Sequence, residues 1–128
     1  MNIKVLFFED RLVDAVGAGV YEIYAKINDK EELFYVGESV FVLVRCATHL
    51  YEISKGKGYL GFTEEMIKKD NITLIFKLHD NIANKADRVK IENELIATKN
   101  PRMQSGIKDR VKSIEDMIDE LTNFLNRK

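Results

Sequence analysis

The chain has 128 residues, 45% hydrophobic and 32% charged, with 20 basic against 21 acidic side chains and a net charge of −1. This length makes one domain with a sizeable core, and the composition excludes a disordered chain. Near-neutral charge excludes a protein that grips nucleic acid through its overall field, so any such contact must be a local patch.

Ile3 to Phe8 reads as a short strand and Asp10 to Ala15 as a short helix, before Gly17-Ala18-Gly19 breaks the chain. Val20 to Ile27 alternates and is rich in aromatic and β-branched residues, which predicts a strand. After the polar segment Asn28 to Glu31, Leu33 to Val36 predicts a second strand, and the pair forms an antiparallel hairpin. Val40 to Ser54 carries Leu43, Ala47 and Leu50 at helical spacing and stops at Gly56-Lys57-Gly58. Thr63 caps a short helix whose first turn holds Glu64 and Glu65, charges suited to its positive end.

Ile72 to Leu78 is the third strong strand. Asn84 to Asp87 opens a helix that must end near Lys99, because Pro101 disfavours α geometry at Asn100. Gly106 breaks the chain again, and Ile107 to Leu125 reads as a long helix with Ile107, Val111, Ile114, Ile118, Leu121 and Leu125 at heptad spacing. That stripe suits packing on the chain's own core or a homodimer. The expected architecture is a single α+β domain over residues 1–128, a small three-stranded antiparallel sheet flanked by helices. An extra N-terminal strand/helix segment precedes a motif-bearing core over about residues 17–104, and the long C-terminal helix covers about 107–126.

No apolar run approaches the roughly 18 residues that cross a bilayer, and no cleavage pattern of a signal peptide follows Met1. The single cysteine, Cys46, rules out an internal disulfide and fits a cytoplasmic protein, where it reads as a small buried hydrophobe.

Four fragments carry chemistry. Gly19-Val20-Tyr21 and Tyr35-Val36-Gly37 place a tyrosine and a glycine on each strand of the hairpin. Read bare, the tyrosines are cross-strand packing. Arg45 and His49 lie one helical turn apart and share a face; bare, they are a solvated arginine and a half-buried histidine. Glu92 precedes Leu95-Ile96 and Asn100-Pro101; bare, it and Glu94 are exposed helix charges pointing to different faces.

Together, over roughly Gly19 to Gln104, these fragments resemble the GIY-YIG nucleases, metal-dependent enzymes that cut DNA phosphodiesters. The resemblance implies the family's three strands and three helices, with Gly19 and Gly37 as structural parts of the motif. It implies Tyr21 as the base for the attacking water and Tyr35 as its partner or a ligand to the phosphate. Arg45 then contacts the scissile phosphate, and His49 assists the base or the leaving group. Glu92 becomes the one protein ligand of Mg²⁺, with Mn²⁺ able to substitute, and DNA the partner. Lys55, Lys57, Arg88, Asn100 and Gln104 are candidate substrate contacts, with plain solvation the alternative for the basic residues.

The chain departs from the family at three places. Glu38 follows Gly37, where its carboxylate would repel a phosphate unless it turns away or joins the metal. Gln104 stands where relatives carry asparagine, and Phe41, Val42 and Val44 where several carry lysines. Glu38 and the near-neutral net charge support a second expectation, a catalytically weak or inactive nuclease-fold protein that binds nucleic acid or dimerises.

Overall fold

A computed structural model describes residues 3–104, with Thr122 and Leu125 beyond them. The strands are β1 (Ile3–Phe7), β2 (Gly19–Ile27), β3 (Lys30–Ser39) and β4 (Ile72–Asn81); the helices are α1 (Val42–Ser54), α2 (Glu64–Lys69) and α3 (Lys85–Lys99). Apart from Thr122 and Leu125, the expected long helix from Ile107 lies outside the described residues. Among the described residues, no helix is long and apolar enough to cross a membrane.

The hairpin β2–β3 turns through Asn28 and Asp29, both at positive φ (49° and 72°). That left-handed pair matches the twist of the strands, and Asn and Asp tolerate it best after glycine. β4 lies antiparallel on the other side of β2, and Ile23 is bracketed by Tyr35 and Phe76. The expected three-stranded antiparallel sheet is corrected here: the sheet has four strands in the order β1-β4-β2-β3, and β1 runs parallel to β4. The physical reason is the outer edge of β4, whose unpaired amides and carbonyls need a partner. β1 supplies one, and Phe8 N–H donates to the Phe76 carbonyl at 3.0 Å to continue the pairing. The ring of Phe7 packs on Phe8 and Phe76, which anchors the parallel register. The helix expected over Asp10 to Ala15 is reduced to a 3-10 turn at Asp14–Val16.

A bulge at Phe34 shifts the register of β3 against β2. It resets the side-chain alternation, so the neighbours Phe34 and Tyr35 both enter the core, with Phe34 stacked on Phe62. On β2, Tyr21 turns toward α1 and Glu22 toward α3, where Lys99 meets its carboxylate at 2.6 Å. α3 packs on β3 and β2, the strands that carry the two motif tyrosines. The caps follow their residue chemistry: the Thr63 hydroxyl accepts from Met66 N–H and the Asn84 amide oxygen from Asp87 N–H. Asn100 ends α3 in the left-handed conformation, φ 48°.

Candidate active site

Tyr21, Tyr35, Arg45 and His49 come together beneath the hairpin, all of them buried. β2 and β3 bring the tyrosines side by side, with ring centres 6.3 Å apart. α1 follows the hairpin and drops Arg45 and His49 onto them, one turn apart on its inward face. The His49 ring lies 5.1 Å from that of Tyr35 and 5.7 Å from that of Tyr21. Its Nε2 is hydrogen-bonded to the Tyr21 hydroxyl at 2.8 Å.

Both motif glycines are required by close approach. A Cβ on Gly37 would meet the Tyr21 hydroxyl at 2.3 Å, and one on Gly19 would meet the Asp80 carbonyl oxygen at 2.4 Å. Gly37 is the cross-strand partner of Tyr21, so its bare backbone leaves the lane through which the phenol reaches His49.

Burial sets the protonation states. Removal from water raises the Tyr21 phenol well above its ordinary value, reinforced by Cys46 and Tyr35, while the Arg45 guanidinium opposes the shift by its charge and by donating to the hydroxyl. Tyr21 is therefore a neutral phenol in the protein as it stands. Burial first and the Arg45 charge second lower His49 to about 3, so its imidazole is neutral at physiological pH. The Cys46 thiol, also buried, is pushed up by desolvation and is inert.

Glu92 is placed on the inward face of α3, 7% exposed, whereas Glu94 two residues on is exposed. One turn before it, Arg88 is anchored: its Nε donates to Glu38 at 2.9 Å, and its Nη1 donates to the carbonyls of Ala83 and Ile82. Glu38 adjoins Gly37, so α3 runs past the end of the hairpin that Tyr21 reaches. Among the described residues no three His, Cys, Asp or Glu side chains group into a cage for a metal. A single carboxylate does fit a hard cation that keeps most of its waters, as Mg²⁺ does.

The candidate substrate contacts divide. Arg88 is buried in its pair with Glu38, so both the basic contact and the anomalous carboxylate expected at the surface neutralise each other instead. Gln104 is likewise engaged, its amide bonded to both backbone groups of Val36. Lys55 pairs with Glu52 at 3.0 Å and covers the ring of Tyr51. Lys57 and Asn100 are exposed, Asn100 as the left-handed cap of α3.

Sequence reasoning missed two residues. Tyr59 lies in the loop after α1, its hydroxyl hydrogen-bonded to His49 Nδ1 at 2.7 Å. Only its place between Gly58 and Gly61, glycines whose positive φ turns the loop back under α1, marks it in the sequence. Glu22 is buried and held by Lys99 and the Tyr24 hydroxyl, a link that docks α3 on β2.

No protein-family model matches this chain, and no curated protein or solved structure matches it.

Proposed function

We propose that this protein is a metal-dependent endonuclease of GIY-YIG type, hydrolysing DNA phosphodiester bonds. The observation behind the reading is the buried Tyr21–His49 hydrogen bond with Arg45 and Tyr35 beside it. Residues 28 positions apart meet there at 2.8 Å, and the residue types and their order are those of the resemblance. In this reading the Arg45 guanidinium offsets charge developing on the phosphate oxygens, where a planar fork suits two oxygens at once. Tyr21 takes a proton from the attacking water, with His49 receiving the phenol's own proton. Tyr35 orders the phenol and His49 from the neighbouring strand. Glu92 would hold Mg²⁺, or Mn²⁺ in its place, and the cation would supply Lewis-acid stabilisation of the charge on the phosphate.

The test is cleavage of supercoiled, linear and single-stranded DNA by purified protein in Mg²⁺ or Mn²⁺. Glu92→Gln and Arg45→Ala should each reduce the rate at least ~10²-fold. Thermal melts of both variants separate loss of catalysis from loss of fold. A folded Glu92→Gln protein that nicks DNA at the normal rate defeats the assignment.

Burial favours one other reading. Tyr35 and His49 are fully enclosed and Tyr21 is 1% exposed, which suits a nuclease-fold protein that binds nucleic acid or a second copy without cutting. Absence of nicking on every substrate, together with retained DNA binding or a dimer in light scattering, would establish that reading.

A further inference from the structure

We infer that Tyr59 is a positioning residue of this site: it fixes the tautomer of His49 so that Nε2 accepts the Tyr21 hydroxyl proton, and it forms the outer end of a three-member proton chain. The inference rests on the endonuclease reading for its catalytic consequence, but its geometric half stands alone.

The starting point is the pair of contacts on one ring. His49 bonds to Tyr21 through Nε2 at 2.8 Å and to Tyr59 through Nδ1 at 2.7 Å. A neutral imidazole has one N–H and one lone pair, so one nitrogen donates and the other accepts. Arg45 decides which. Its guanidinium is a donor only, and it faces the Tyr21 hydroxyl oxygen, where its charge and donor groups favour that oxygen as an acceptor. If His49 Nε2–H also donated to that oxygen, the Tyr21 hydrogen would have to find a different acceptor in a fully buried site, and leaving a buried donor unmatched is costly. With Nε2 as acceptor, the Tyr21 O–H donates to it, the proton of the imidazole sits on Nδ1, and Nδ1–H donates to the Tyr59 oxygen. The Tyr21 hydroxyl hydrogen and the imidazole hydrogen then both have partners.

The loop geometry supports a dedicated placement. Gly58 at φ 93° and Leu60 at φ 52° reverse the chain twice within three residues, which returns Tyr59 to a histidine ten positions earlier. Leu60 in that conformation is strained, since left-handed backbone is unfavourable for a side chain with a Cβ. Of the three ring residues, Tyr59 alone is half-buried rather than buried.

During hydrolysis the chain moves protons without building charge on the ring. An O–H bond of the attacking water breaks and its proton goes to the Tyr21 oxygen. The proton formerly on Tyr21 passes to His49 Nε2, the proton on Nδ1 passes to the Tyr59 oxygen, and the proton formerly on Tyr59 leaves to solvent. Hydroxide from the water forms the new bond to phosphorus as the bond from phosphorus to the leaving oxygen breaks. The leaving alkoxide takes a proton from solvent, which balances the one released at Tyr59. His49 ends as the opposite neutral tautomer and never becomes an imidazolium beside Arg45, whose charge opposes that form.

The experiment is long-range ¹H–¹⁵N correlation spectroscopy of His49 in the wild-type protein and in Tyr59→Phe, with His49→Gln to assign the signals. The wild type should show a protonated Nδ1 and an unprotonated Nε2, and Tyr59→Phe should shift the balance toward the Nε2–H form. In cleavage, Tyr59→Phe should slow the reaction roughly 10–100-fold with DNA affinity unchanged, the range seen when the partner orienting a functional imidazole is removed. A wild-type ring protonated on Nε2, or a tautomer that ignores the loss of the Tyr59 hydroxyl, overturns the inference. Absence of cleavage by the wild type would overturn the endonuclease reading and the relay with it, while the tautomer result would still decide the positioning role.

Discussion

Gly37 lies directly under the Tyr21 hydroxyl, so close that a Cβ there would come within 2.3 Å of the oxygen and 2.4 Å of the ring carbon that bears it. The glycine of the second motif and the tyrosine of the first are one steric unit, paired across the hairpin. Gly37→Ala should therefore destabilise the protein by about 1–3 kcal/mol, the usual cost of forcing a methyl group into a packed core. Urea unfolding measures it. In a Tyr21→Leu background the colliding ring atoms are gone and the same substitution should cost less. Additive costs in that pair would show that the collision is not the cause.

The hairpin, α1, α2 and α3 are legible in the sequence because their signals are local. Alternation marks β2, Asn28-Asp29 marks the turn, and Thr63, Asn84 and Pro101 punctuate the helices. The place of β1 is not legible, because nothing within Ile3 to Phe7 says which sheet edge it will join. Its pairing with Ile72 to Phe76 is settled by the Phe7–Phe76 contact across almost seventy residues. The same holds for the site. Tyr21 reads alone as cross-strand packing and His49 as a half-buried histidine, and only the fold puts them at hydrogen-bond distance. Glu38 and Arg88, a liability and a candidate substrate contact when read apart, pair with each other only in the fold.

The protonation of His49 gives a prediction in pH. Its pKa falls from the ordinary 6.5 to about 3 on folding, so the unfolded chain takes up a proton that the native chain refuses. The contribution is complete above about pH 6.5 and is lost progressively as pH falls toward about 3. At pH 5, the native state should be less stable by about 2 kcal/mol than at pH 7 through this residue alone. Denaturant titrations of wild type and His49→Gln across that range should diverge in slope, the variant being flatter. Parallel slopes would mean that His49 is as easily protonated in the folded protein as in the unfolded chain.

Arg88 offers a test of a buried pair. Its guanidinium holds Glu38 at 2.9 Å and caps two carbonyls, with side chains only 4% and 19% exposed. Arg88→Met leaves the carboxylate without its cation and should cost about 3 kcal/mol. Glu38→Gln in the same protein should recover part of that loss, measured as coupling in a double-mutant cycle. Were Arg88 instead a substrate contact, the variant would keep its stability and lose DNA affinity in a salt-dependent way.

Gln104 closes the outer edge of the sheet. β3 is an edge strand, and the segment after Pro101 runs beside it, Arg102 N–H donating to the Leu33 carbonyl and Met103 N–H to that of Phe34. The Gln104 side chain then takes over as a backbone mimic: its oxygen accepts from Val36 N–H at 2.8 Å and its Nε2 donates to the Val36 carbonyl at 2.9 Å. Val36 lies between Tyr35 and Gly37, so this clasp holds the backbone of the second motif. Gln104→Ala should cost about 1–2 kcal/mol, two hydrogen bonds at their usual net worth. Gln104→Glu should be as damaging, because a carboxylate accepts from Val36 N–H but faces the Val36 carbonyl with no hydrogen to donate. Hydrogen exchange at the Val36 amide is the local readout: faster exchange in Gln104→Ala fits the clasp, and unchanged exchange there would place the strand's support elsewhere.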